Sequence, residues 1–207
     1  TYRPGHADYT FDGKYGFRDY RGGGRSSGRE TTARVAAGAV AAKILKELGI
    51  EVHAYTKAIG PVSVPGDEYY PEEIFQNPIY MPNNTYAEKA SAYLEECIKN
   101  QDSAGGIIEC VVTGMPVGIG DTVFEKLDAN LAKAMLSIGA VKGFEIGDGF
   151  EVAHSKGSIN NDSFHTKDGK ITKDTNHAGG VLGGMSDGSK IIFRAAVKPT
   201  PSISQPQ

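Results

Sequence analysis

The residues best suited to chemistry lie between Arg21 and Ala42, where Arg-Gly-Gly-Gly-Arg-Ser-Ser-Gly-Arg-Glu-Thr runs directly into an alanine-rich helix. Gly22, Gly23 and Gly24 admit backbone conformations closed to other residues and let a ligand approach the main chain. Ser27 and Glu30 have the spacing of a capping box, which predicts a helix start at or beside Ser27. A helix N-terminus offers free N–H groups and the positive end of its dipole, and Arg21, Arg25 and Arg29 bring three cations to the same place. Phosphate or carboxylate suits such a corner. The alternative on these residues alone is a glycine turn before a helix whose arginines face solvent.

A second glycine-rich block, Asn176 to Gly188, carries Gly179-Gly180 and Gly183-Gly184. The paired glycines imply close backbone approach, to a flat ring system or within a tight bulge. His177 in this block is open to two roles, proton donor or structural hydrogen-bonding residue. His53, His154 and His165 lack metal-ligand spacing and read as surface residues. Cys97 and Cys110 are the only cysteines, with no further ligands in sequence around them, so no metal site is expected.

The elements that position these groups follow from periodicity. A helix is predicted over about Ser27–Leu48, apolar almost all round its middle and therefore expected to be buried on every side. A second is predicted from Asn84 or Thr85 to about Asn100, with Thr85 and Glu88 as a capping box. A third starts near Asp121 or Thr122, with the stripe Phe124, Leu127, Leu131, Met135 and Ile138. Strands are predicted at Ile50–Ile59, Gly106–Thr113, Val141–Ile146 and Lys190–Val197. In the first of these, Val52, Ala54 and Thr56 alternate with Glu51, His53 and Tyr55, as a sheet with one wet face would. Helices against antiparallel sheet, an α+β fold, are expected. A dinucleotide-binding doubly wound fold is disfavoured, since no strand-bounded GxGxxG is present. The polar run 153–176 reads as a loop or lid.

The 207 residues suit one domain, 1–207. A net charge of -3 and a pI near 6.0 argue against a general nucleic-acid or membrane-surface binder while allowing a local basic pocket. No apolar run approaches the length of a membrane span. Two cysteines without an upstream signal segment point to a reducing, cytoplasmic compartment. Thr1–Asp8 reads as the middle of a functional loop, and Lys198–Gln207 is helix-incompatible, ending the last periodic element near Val197.

Five blocks in order resemble the chorismate synthase family: Arg3–Asp8, Tyr15–Thr31, Ala140–Phe150, Asn176–Gly188 and Lys198–Ile203. The resemblance spans the chain and is weakest over Val62–Gln101 and the polar loop. It implies a carbon–oxygen lyase of the shikimate pathway that eliminates phosphate from 5-enolpyruvylshikimate 3-phosphate in a 1,4-anti sense to give chorismate, with reduced FMN that is not consumed. It also implies a β-α-β sandwich, central helices between antiparallel sheets, assembled as a homotetramer. His6 matches an active-site histidine expected to act as a general acid, and Arg29 matches a substrate-anion ligand. Arg25, Ser26, Ser27, Gly139, Ala140, Gly183, Lys198, Pro199, Thr200, Pro201 and Ser202 match flavin-contacting positions.

The departures are also specific. Gly-Glu-Pro, usual before the third helix, stands as Gly120-Asp121-Thr122. The family's Gly-Glu-Ser-His-Gly segment with its arginines, and its Arg-Asp motif, are not in this sequence. The chain therefore reads as the central part of such an enzyme, and alone is expected to have little or no lyase activity. A catalytically silent flavin- or phosphate-binding module is the alternative. Without flanking strands, exposed sheet edges and apolar helix surface would favour association.

Overall fold

A computed structural model describes all residues from Thr1 to Gln207. Its centre is a five-stranded, wholly antiparallel sheet in the order β2-β1-β3-β9-β4. The helices are α1 (Asp8–Tyr15), α2 (Thr31–Glu47), α3 (Asn84–Lys99), α4 (Leu127–Leu136) and the single-turn α5 (Gly157–Asn160). The sheet strands are β1 (Glu51–Ile59), β2 (Val62–Ser63), β3 (Gly106–Thr113), β4 (Val141–Ile146) and β9 (Ile191–Val197). Two small hairpins, β5 (Phe164–Lys167) with β6 (Lys170–Lys173) and β7 (Val181–Leu182) with β8 (Met185–Ser186), complete the expected α+β architecture.

The main core lies between one face of the sheet and α4. Ile50, Cys110, Val112, Ile191 and Phe193 are buried there, with Leu127, Leu131 and Met135 of α4, Leu45 of α2 and Phe144 packed against them. A second cluster of Val64, Met81, Ala87 and Ala90 seats α3 against the β1–β2 end of the sheet. Both cysteines are free and buried. Burial raises the Cys110 thiol to about 11, so it packs as a small apolar group.

Several local expectations are corrected. The helix predicted from Ser27 begins at Thr31, after a 3₁₀ turn over Gly28–Glu30. It is not buried on every side: none of its residues is buried, and Val35 and Val40 are 72% and 62% exposed. Only Leu45 reaches the core, because α2 meets the sheet only at its C-terminal end beside β1; its alanines supply helix propensity rather than packing. The α3 cap is Asn83, whose Oδ1 accepts from the N–H groups of Thr85 and Tyr86, in place of the Thr85–Glu88 box. The third helix starts at Leu127 instead of Asp121 or Thr122. The preceding segment is held against β8 by Gly118 N–H to Ser186 O and Ser186 N–H to Ile119 O, so pairing overrides the local cap signal. Phe124 consequently lies outside the stripe, 88% exposed. In β1 the alternation fails: Tyr55 is buried and Val52 exposed. A register shift between Thr56 and Ala58 further breaks the period.

The polar run 153–176 contains α5 and the β5–β6 hairpin, and it is anchored by charge. Lys173 Nζ lies 2.7 Å from Asp187 and 3.2 Å from Asp162, all three side chains at most 7% exposed. Asp162 also accepts from Thr175 Oγ1 and from the N–H groups of His177 and Ala178. Burial works against the Asp162 and Asp187 charges, but these donors outweigh it and hold both carboxyls below the usual range. Lys173→Met strands two buried carboxylates, and an unfolding free energy lower by about 3–5 kcal/mol is expected in urea titration. Because both folded values are depressed, their stabilisation is present in full above about pH 4–5 and is lost as pH falls further. The urea midpoint of the unsubstituted chain should therefore drop across that acid window, and that of Lys173→Met less steeply.

Candidate functional site

The loop Arg3–Asp8 is closed on itself by one ion pair. Arg3 Nη2 lies 2.8 Å from Asp8 Oδ1, while Arg3 Nε and its backbone N–H both donate to Oδ2 at 3.0 Å. The side-chain and backbone bonds from Arg3 hold the buried Asp8 carboxyl well below the usual carboxylate range. His6 stands in the loop so formed. Gly5 has φ +67°, and a Cβ there would sit 2.8 Å from Pro201 Cβ, so only glycine allows the C-terminal segment this close. Lys198 Nζ donates to Gly5 O at 2.9 Å, and Ser202 Oγ is hydrogen-bonded to His6 Nε2 at 3.2 Å. Lys198 N–H in turn bonds Ala140 O. Three segments far apart in sequence thus meet at His6.

The glycine corner forms the opposite wall. Gly24–Ser26 makes a 3₁₀ turn whose Ser26 hydroxyl donates to Gly23 O at 2.7 Å. Ser27 Oγ accepts from Arg29 N–H, so Ser27 caps the second 3₁₀ turn. Glu30 does not complete the predicted capping box. Its carboxylate pairs with Arg34, which reaches Ser137 Oγ at 2.8 Å and so ties the start of α2 to the chain leaving α4.

Together these walls enclose a cleft of about 940 Å³. Among its lining are His6, Arg25, Ser26, Ser27, Gly139, Ala140, Lys198, Thr200, Pro201 and Ser202. Three residues singled out from sequence are not brought in. Arg29 is exposed on the second 3₁₀ turn, Pro199 lies beside Gly105, and Gly183 sits at the β7–β8 turn. Conversely, Arg18, Lys142 and an aromatic edge of Phe11, Tyr15 and Phe17 line the cleft although periodicity gave no sign of them. For Tyr15, Phe17, Arg18 and Lys142 the signal was the lack of any core role for charged and aromatic residues within the matching blocks; Phe11 lies outside them.

The charge balance of the cleft is positive. Its acids are all engaged: Asp8 with Arg3, Asp19 with Arg21, Glu30 with Arg34. Arg18 pairs with Asp12 and lies over the Tyr2 ring. Arg25, Lys142 and Lys198 have no carboxylate partner, which leaves three cations for an anionic guest. His177 lies elsewhere, its Nδ1 2.5 Å from Asp148 Oδ2 and its N–H on Asp162, a structural hydrogen-bonding role. No cluster of three or more His, Cys, Asp or Glu is placed to hold a metal, and no helix is long and apolar enough to cross a membrane.

Comparison with known proteins adds the family context. The family model described as chorismate synthase matches residues 1–207. The chorismate synthases of Agathobacter rectalis and Lachnoclostridium phytofermentans are 64% and 65% identical over 206 and 207 residues. Each alignment covers all of this chain and 56% of the relative, so the chain spans about half the length of the curated relatives it matches. A solved crystal structure of chorismate synthase superimposes with a TM-score of 0.87 at 34% identity, over 94% of this chain and 64% of that one. Gly5→Ala is expected to cost about 1–2 kcal/mol from the left-handed conformation alone, before the overlap with Pro201 is relieved. A lower thermal midpoint, with faster hydrogen exchange at Lys198 N–H, checks this.

Proposed function

Because this chain belongs to the chorismate synthase family, we propose that the cleft beside His6 is the part of its active site that binds reduced FMN and 5-enolpyruvylshikimate 3-phosphate. The single observation that carries this is the set of free cations, Arg25, Lys142 and Lys198, in a cleft whose acids are all paired. Both guests carry phosphate, and the substrate carries carboxylates as well. The volume lies in the range of small-molecule sites. Side chains at Gly22, Gly24 and Gly28 would meet nothing within 4 Å, so the corner stays open for a ring or phosphate to lie against the backbone. These features fit a flavin phosphate.

Bound reduced flavin supplies electron density to the elimination. The residues of this chain bind, orient and hold a proton. Arg25 offers a guanidinium fork beside the Ser26 and Ser27 turn, and Lys198 and Lys142 supply point charges on the other walls. His6 is the general acid, held at the junction of three segments. Arg29, outside the cleft lining, reaches a substrate anion only by side-chain extension from the exposed 3₁₀ turn.

The same geometry supports little or no turnover by the 207-residue chain alone. The cleft contains one histidine and no carboxylate free to accept a proton. We read residues 1–207 as one unit, since the cleft draws on residues 3–30, 136–142 and 198–202. Assembly as a homotetramer in the cytoplasm is the remaining part of this proposal, supported by the exposed apolar surface of α2 and the two buried free thiols.

Isothermal titration with FMN, followed by anaerobic incubation with reduced FMN and 5-enolpyruvylshikimate 3-phosphate, tests the proposal. Measurable FMN affinity is expected, with turnover absent or very slow. Arg25→Ala should weaken FMN binding about 10- to 100-fold, the worth of a charge-assisted hydrogen bond, and Ser26→Ala less. Binding insensitive to both substitutions overturns the assignment, and rapid chorismate formation overturns the expectation of a silent chain.

A further inference from the structure

Four of the five histidines of this chain have a side-chain partner, and His6 differs from the other three in what that partner is. His53 meets Glu51, His165 meets Asp174 and His177 meets Asp148, each a carboxylate. His6 meets only a hydroxyl, Ser202 Oγ at 3.2 Å from Nε2. A hydroxyl orients the ring through one nitrogen without placing a charge beside it.

Ser202 is itself held from both sides. Lys198 upstream is bonded to Gly5 O and Ala140 O, and Ser103 Oγ donates to Thr200 O at 2.7 Å. Downstream, Ser204 N–H bonds Gln101 O and Gln205 Nε2 bonds Asn100 O at 2.7 Å. The backbone at His6 is fixed in turn by the Arg3–Asp8 closure and by the His6 main-chain N–H to Arg3 O. Two segments, tied to each other at Lys198–Gly5 and each held by further bonds of its own, therefore place the hydroxyl and the imidazole against each other.

We propose that Ser202 is the positioning residue that decides which ring nitrogen of His6 exchanges protons: it occupies Nε2 and leaves Nδ1 for the ligand. The doubly protonated ring donates Nε2–H to Ser202 Oγ and presents Nδ1–H to an anionic oxygen in the cleft. When the Nδ1–H bond breaks, its proton forms an O–H bond on that oxygen and its electron pair stays on Nδ1. The neutral ring that remains is already the Nε2–H tautomer bonded to Ser202, so no ring rotation accompanies the transfer. The catalytic meaning rests on the function proposed above, but the tautomer assignment does not.

Long-range ¹H–¹⁵N spectra of the histidine rings in the 207-residue chain test it with neither flavin nor substrate. The neutral His6 ring is expected to carry its proton on Nε2. Ser202→Ala should change the ratio of the two tautomers about tenfold, the worth of one ordinary hydrogen bond. Ser202→Thr should restore the wild-type ratio and Ser202→Val, its isostere without a hydroxyl, should not; the thermal midpoint reports folding, and the His177 signals stay fixed throughout. A wild-type ring protonated on Nδ1, or a ratio unmoved in both Ser202→Ala and Ser202→Val, overturns the proposal. Failure of FMN to bind, with the tautomer result intact, would instead count against the proposed function.

Discussion

Arg194, in the middle of β9, makes the interaction on which the placement of the cleft depends. It lies opposite both Glu109 of β3 and Glu145 of β4, is within 3.3 Å of each carboxylate, and donates from Nη2 to Gly147 O. Tyr55 of β1 extends the row by donating to Glu109, which with burial drives its hydroxyl far above the usual phenol range. A cation shared by two neighbouring strands is a strong register marker, because a slip of one residue would turn Arg194 into the apolar face and Phe193 out of it. The register in turn fixes where β9 ends. Lys198 emerges beside Ala140, the residue just before β4, and the following Thr200–Ser202 are delivered to the loop around His6.

The last strand therefore does more than close the sheet. By inserting between β3 and β4, it brings the C-terminal segment to a site whose other walls come from the first 30 residues and from the end of α4. Fine adjustment comes from short-range devices. A left-handed Gly5 lets Pro201 approach, a left-handed Ala140 turns its carbonyl to Lys198, and Arg34 couples the start of α2 to Ser137. None of these contacts is strong alone. Their effect is mutual, since each removes freedom from a segment that another has already brought near.

What was legible in the sequence followed the range of the forces involved. β3 and β4 were readable to the residue, because apolar runs between turn residues are a local signal, and so was the end of β9. The glycine corner was legible because its residue types have few other uses, whereas the cleft residues of the C-terminal segment were legible only through the family resemblance. Cap positions and the starts of α2 and α4 were not, although α3 begins at Asn84 as expected. Asn83 outcompeted Thr85 through its own bonds to the next turn, and Gly118–Asp121 chose pairing with β8, far along the chain, over a capping box. α1 was missed because it has no apolar period and is fastened by Asp8 at its first residue. The α2 prediction failed for a different reason: apolarity all round a helix measures what it can bury, while exposure here depends on how many layers are present to cover it.

The distribution of charge in the cleft favours an anionic guest. An acidic protein concentrates unpaired cations at one place only by pairing the acids nearby, and Asp8, Asp19 and Glu30 are all engaged in that way. The pairing serves anion binding twice, by removing repulsion and by stiffening the loops that carry Arg25 and His6. It also withdraws from the cleft every carboxylate that could have served as a base. A site built like this is strong in electrostatic attraction and poor in free carboxylates, with His6 its single histidine. What the chain offers an anionic guest is a set of cations held in place beside one oriented imidazole.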